Sequence, residues 1–176
     1  MLKLQLFAEK PEVVQGKKIV YLFRVLKDAA TENAKAMAFV TENERSKSVD
    51  YETTATKDGA VQTPGEVEHE ITATTILSTD GSAEKFEDAM DENELIEIWE
   101  ANLAEPVGEN SNKFKGRYFQ GYLKEFTLTS SAEEHAEYET TFGINGKGAK
   151  GDVTVTEEQQ ALADYVFKDT AASTGA

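Results

Sequence analysis

Along most of this chain apolar and polar residues alternate with a period of two, and at two places the period lengthens to that of a helix. Residues 18–26, KIVYLFRVL, carry apolar side chains on both parities, as a buried strand does. Residues 29–45 turn polar and alanine-rich, with Met37, Phe39 and Val40 as the large apolar side chains, and read as a long loop. Residues 48–56 and 60–63 flank Asp58-Gly59, whose tolerance of positive φ suits a hairpin turn. In residues 66–77, Val67, His69, Ile71, Ala73, Thr75 and Leu77 take one parity, and Glu66, Glu68, Glu70, Thr72 and Thr74 the other. That is a half-buried strand with an acidic outer face.

The helical period appears at residues 82–93, where Ala83, Phe86 and Met90 share a face and Ser82 stands where a capping hydroxyl would. Strand character resumes at residues 94–102 and stops before Pro106 and a loop of Gly, Asn and Ser. Residues 113–130 give the longest strand, with Phe114, Tyr118, Tyr122, Phe126 and Leu128 on the parity expected to be buried. Phe119 and Leu123 interrupt the opposite face and suggest cover by a neighbouring subunit. Ala136, Tyr138, Phe142 and Ile144 then alternate with Glu137, Glu139, Thr141 and Asn145, closing a second long hairpin. Residues 145–152 read as a flexible loop. A short strand follows through Val153 and Val155, then a closing helix with a capping box from Thr156 to Gln159 and an apolar face of Leu162, Tyr165 and Val166.

Composition narrows the function. The chain has 176 residues and a formal net charge of -15, with 33 acidic against 18 basic residues, which disfavours adhesion to nucleic acid or an anionic membrane. Its apolar runs are far shorter than the ~20 residues that cross a bilayer. With no cysteine, disulfides and thiolate metal sites are excluded, and the expected place of synthesis is a cytoplasm. Residues 1–8, MLKLQLFA, lack the apolar core and cleavage site of a signal peptide and read as part of an N-terminal arm spanning residues 1–16. Residues 17–167 form the expected single domain, and residues 168–176 a small, polar, disordered tail.

No residue pattern carries catalysis, a cofactor or a metal. His69 and His135 have glutamates nearby, but neither run has a zinc-site spacing, and His69 reads as a core-facing strand residue. The glycines of residues 143–151 follow a strand without opening a helix, unlike a phosphate loop. The basic run Lys113, Lys115 and Arg117 is short, and suits charge pairing better than nucleic acid. The informative residues are Glu66, Glu68 and Glu70 with Glu137 and Glu139, two acidic sets on the polar parity of strands whose other parity is apolar. Read alone, such a face is a solvated surface.

The order of these elements resembles the siphophage major tail protein (tail tube protein) family over residues 16–167. The resemblance is carried by KKIVYLFRV, GEVEHEITATTIL, AEKFEDAMDENELIEIWEANL, KFKGRYFQGYLKEFTLTSSAEEHAEYETTFGI and GKGAKGDVTVTEEQ. It implies a mainly β fold, a β-sandwich or barrel-like tail tube domain with one flanking helix and a short C-terminal helix. It further implies no enzymatic activity and no cofactor. The expected function is that of a virion subunit whose hexameric rings stack into a tube, with a tape measure protein and tail tip or terminator proteins as partners. Double-stranded DNA would pass the lumen without sticking, and Glu66, Glu68, Glu70, Glu137 and Glu139 would then face that lumen. Residues 29–45, the N-terminal arm and the segment after Gly151 are expected to bridge subunits. The rival reading is a soluble β binding module, such as a capsid decoration or receptor-binding domain. A glycoside hydrolase on a sandwich scaffold ranks last, since it would need two facing carboxylates.

Overall fold

Strand-forming sequence condenses into one antiparallel sheet. The computed structural model describes residues 13–109 and 112–163. Its elements are β1 (Ile19–Val25), β2 (Val40–Thr56), β3 (Gly59–Ile76), α1 (Ser82–Asp91), β4 (Ile96–Pro106), β5 (Lys113–Thr129), β6 (Glu137–Ile144), β7 (Ala149–Thr154) and α2 (Glu157–Ala163). The strands lie in the order β1-β4-β5-β6-β3-β2, and β7 joins the edge of β5 that β6 also uses. The fold is mainly β and barrel-like, with a flanking helix and a short C-terminal helix, as the resemblance implied.

Long-range contacts show that the sheet curls. β1 and β6 are three ladder steps apart, ~14 Å in a flat sheet, yet the rings of Phe23 and Phe142 stack with centroids 5.2 Å apart. Likewise β2 and β4 are four steps apart, ~19 Å when flat, yet Arg45 Nε donates to Glu100 Oε2 at 2.6 Å. Helix α1 fills the concave side. Phe86 meets Phe23 and Phe142 edge-on at 5.9 and 5.7 Å, and Ala83 and Ala89 are buried beside it. Burying each of these phenylalanines contributes about 1.5–3 kcal/mol. A second, smaller core lies on the opposite face of the sheet, where Leu22, Ala101, Phe114, Val153 and Val155 pack with Ala34, Ala36 and Trp99.

Several expectations are corrected. The loop after β1 ends at Phe39, because residues 40–45 already pair with β3. The hairpin turn is Lys57-Asp58 rather than Asp58-Gly59, since Thr56 pairs with Gly59, and β3 runs on unbroken through Pro64. Gly81, in the left-handed region, is the N-cap of α1. Ser82 donates its amide and hydroxyl to Asp80 Oδ1 instead of capping. The flexible loop shrinks to residues 145–148, because residues 149–152 pair with β5 in β7. In the described part of the segment after Gly151, Val153 and Val155 are buried in this chain's own second core. The capping box is present: Gln159 N donates to Thr156 Oγ1, and Thr156 N to Gln159 Oε1. Tyr165, Val166, the Leu162 side chain, residues 1–12 and the tail at 168–176 lie outside the described residues.

The largest correction concerns β5. Phe119 and Leu123 are 2% and 7% exposed and face the main core, so a neighbouring subunit is not what covers them. Tyr118 and Tyr122 point to the opposite side, and Tyr122 is 47% exposed. A bulge at Lys124 then swaps the parity: Leu123 pairs with Phe142 but Glu125 with Thr141. From there Phe126 and Leu128 are the core-side residues, and Phe126 stacks on Tyr138. One strand thus serves the main core with two parities and the second core through Phe114.

Candidate functional site: an acidic sheet face

The strand register decides whether the two acidic sets share a surface. Thr74 pairs with Glu139 and Ile76 with Glu137, so the odd positions of β6 share a face with the even positions of β3. Glu68, Glu70, Glu137 and Glu139 therefore project from one side of one sheet. Glu66 continues the alternation at a bulge where Asp50 faces both Gly65 and Glu66. His69, Ile71, Ala73 and Thr75 occupy the opposite, buried side.

The same register adds residues that sequence reading left out. Glu42 and Glu44 pair with Thr74 and Thr72, and Glu125 pairs with Thr141, which brings all three onto this face. Glu42 and Glu44 fell within an expected loop because the other parity of β2 carries Asn43, Arg45 and Lys47 instead of apolar residues. The Glu42-x-Glu44 alternation was the available signal. Glu125 lies beyond the Lys124 bulge, and the change of parity there turns it onto this face.

Between these carboxylates stand Thr72, Thr74, Thr127, Thr129 and Thr141, β-branched residues that hold a strand while leaving its surface polar. Lys124 is the cation on the face and pairs with Glu70. Hydrogen bonding to Glu70, with Glu70, Glu68 and Glu125 close by, holds its ammonium pKa above the ordinary lysine value. Successive same-face positions on a strand are about 7 Å apart, where two like charges repel by about 0.6 kcal/mol in water. Threonine or serine would solvate the face equally well without that repulsion, so subunit folding alone does not account for the glutamates.

Other polar clusters hold the strands together. Glu97 accepts from Arg24 Nε at 2.8 Å and from the Tyr118 hydroxyl at 2.7 Å, while Arg24 lies 5.0 Å from the Trp99 ring centroid. Glu100 accepts from the Tyr21 hydroxyl and from Arg45, both at 2.6 Å. Burial, then the Glu100 hydrogen bond, pushes the Tyr21 phenol well above its ordinary value. His69 is buried on β3 as a core-facing residue, whereas His135 sits in the exposed loop before β6. Among the described residues no three metal-binding side chains converge, and no helix is long and apolar enough to cross a membrane.

The exposed face of this curled antiparallel sheet is thus built of glutamates and threonines with Lys124 among them, and it holds no arrangement for catalysis among the described residues. Residues 13–150 match the model of the phage tail tube protein family. A protein assigned to the tail of Staphylococcus phage phiMR25 is 35% identical over 157 residues, covering 86% of this chain and 80% of that one. The SPP1 tail tube structure superposes with a TM-score of 0.65 at 18% identity, over 93% of this chain and 95% of that chain. The tail of an empty gene transfer agent particle, refined with C6 symmetry, gives 0.57 at 10% identity over 77% and 96%. The chain belongs to the phage tail tube protein family: it is a structural subunit of the virion's tail tube and not an enzyme.

Proposed function

We propose that this subunit assembles into hexameric rings that stack into a tube, and that its acidic face lines the lumen through which double-stranded DNA passes. The observation that carries the reading is the convergence of Glu42, Glu44, Glu66, Glu68, Glu70, Glu125, Glu137 and Glu139 on one side of four adjacent strands. A ring would repeat these carboxylates into a continuous negative wall. Such a wall repels phosphates, so DNA slides instead of binding. The sixfold symmetry of the gene transfer agent tail supports a hexameric ring. Similar chains in an anti-feeding prophage baseplate and tube cap support contacts with proteins that start and end a tube, and a tape measure protein would occupy the lumen before DNA.

The test replaces Glu66, Glu68 and Glu139 by lysine and measures DNA release from assembled tails at low salt. Subunit stability should change by less than about 1 kcal/mol, since exposed charges contribute little. Release should slow, and the effect should fade as salt rises. Wild-type release rates from normally assembled variant tails would remove these residues from the channel.

A further inference from the structure

The core side of the sheet turns polar and cationic at the end where β6 stops. β3 pairs with β6 only from Glu70 to Ile76, whereas its pairing with β2 continues to the tip at Thr56 and Gly59. His69 is therefore the first core-side residue of β3 past that ladder, with Lys47 opposite it on β2. Arg45 stands two residues from Lys47 on the same face of β2, and Arg117 reaches in from β5, where it pairs with Glu100 of β4. Lys150 of β7 lies opposite Arg117. In a chain of net charge -15, this is a local concentration of cations.

Among these groups His69 is only 8% exposed, yet its Nδ1 finds no hydrogen-bond partner among the described residues. Leaving such an atom unpaired is costly, so a molecule that pairs with it is favoured. Desolvation, then the charges of Lys47, Arg45 and Arg117, hold the His69 pKa below the ordinary value. Those three cations face one carboxylate: Arg45 Nε lies 2.6 Å from Glu100 Oε2, and Arg117 Nε 3.7 Å from Glu100 Oε1. Glu100 also accepts from the Tyr21 hydroxyl, so its oxygens are already shared. Lys47 and Lys150 have no acidic partner among the described residues. Three cations against one carboxylate leave at least two positive charges unmatched around an unpaired imidazole.

The chemistry of the occupant follows from these groups. Donors converge from β2, β3 and β5, more directions than the two coplanar oxygens of a carboxylate can meet, and Glu100 already fills the carboxylate's place. A tetrahedral dianion offers an oxygen to each strand and cancels two positive charges. We propose that Lys47, Arg45, His69 and Arg117 bind a free tetrahedral oxyanion of the phosphate or sulfate type. It accepts from the Nδ1–H of His69, from the Lys47 ammonium and from the two guanidinium groups, and so ties β2 and β3 to β5 beyond the last β6 pair. A phosphodiester backbone fits poorly, because each of its phosphates carries one charge and the acidic remainder of the chain repels the rest of a duplex. The site is complete within one chain and does not depend on tube assembly.

The test titrates inorganic phosphate, sulfate and a short duplex DNA separately into the full-length subunit in chloride buffer of constant ionic strength, at about pH 6.5, the ordinary histidine value. Calorimetry is expected to find one phosphate per chain with a Kd at or below about 1 mM, with sulfate competing for the site and duplex DNA leaving it free. Lys47→Gln should weaken phosphate at least about tenfold, the effect of losing one hydrogen bond between charged groups, with an unchanged melting temperature in chloride. Lys35→Gln removes a charge from a side chain 74% exposed on the loop after β1, and should leave affinity within about twofold of wild type. In NMR spectra of the wild-type chain, saturating phosphate should raise the titration midpoint of the His69 ring, as a nearby anion does. No uptake, equal affinity in wild type and Lys47→Gln, or a His69 ring that titrates as it does in chloride would overturn the proposal. Displacement of phosphate by duplex DNA would overturn it as well, in favour of a nucleic-acid backbone.

Discussion

Two glycines of β5 and β6 differ in what a methyl group would meet. A Cβ at Gly116 would lie 2.2 Å from the Glu100 carbonyl oxygen and 2.6 Å from Val153 Cγ2, whereas one at Gly143 meets nothing within 4 Å. Gly116 sits between Ala101 of β4 and Gly151 of β7, so Gly116→Ala should cost at least the ~1–3 kcal/mol of overpacking. Gly143→Ala should stay within about 0.5 kcal/mol of wild type. Urea unfolding of the pair checks this. His69 gives a pH-dependent counterpart. Its folded-state pKa lies below the ordinary 6.5, so as pH falls past that value the unfolded chain takes up a proton that the native one does not. The native state therefore loses stability from about pH 6.5 downward. His69→Gln should flatten that part of the stability profile and leave stability above pH 7.5 insensitive to pH as before. An unchanged slope would mean that His69 titrates alike in both states.

At the scale of elements, the bulge at Lys124 is the device that fits β5 to its neighbours. Deleting Lys124 would turn the half-buried Phe126 to the solvent side and break the Phe126–Tyr138 stack, at a cost of roughly 1–3 kcal/mol. Lys124→Ala keeps the bulge and should cost under about 1 kcal/mol. Denaturant melts of the two variants separate register from charge. Across this bulge, strand parity stops announcing which side is buried. Alternation in β3 and β6 was legible because each buries one parity, so Ile71, Ala73, Tyr138 and Phe142 announce their side. In β5 the parity changes within the strand and Phe114 serves a second core, so no single rule assigns its faces. Likewise the start of β2 carries no strand signal, because its core-side residues beyond Val40 are Asn43, Arg45 and Lys47, of which Arg45 is held by Glu100 on a distant strand. The acidic face was visible in part for the same reason: strand parity gave Glu66, Glu68, Glu70, Glu137 and Glu139, and only pairing across strands could add Glu42, Glu44 and Glu125.

For the whole molecule, the two faces of the sheet have separate tasks. One side holds α1 and the main core, and the uncovered part of the other is acidic from β2 to β5. A monomer gains little from concentrating like charge there or from extending a bare hairpin, whereas the tube proposed above would use both. The chain's membership of the tail tube family and the fold it shares with the SPP1 tube make it a tube subunit, and the division of faces is the proposal that follows. Helical reconstruction of tubes assembled from the wild-type chain, at a resolution that traces β3 and β6, measures the central claim directly. The account predicts that Glu70, Glu125 and Glu139 face the lumen in every subunit. A reconstruction in which this face points to the tube exterior, or is buried between subunits, would contradict it.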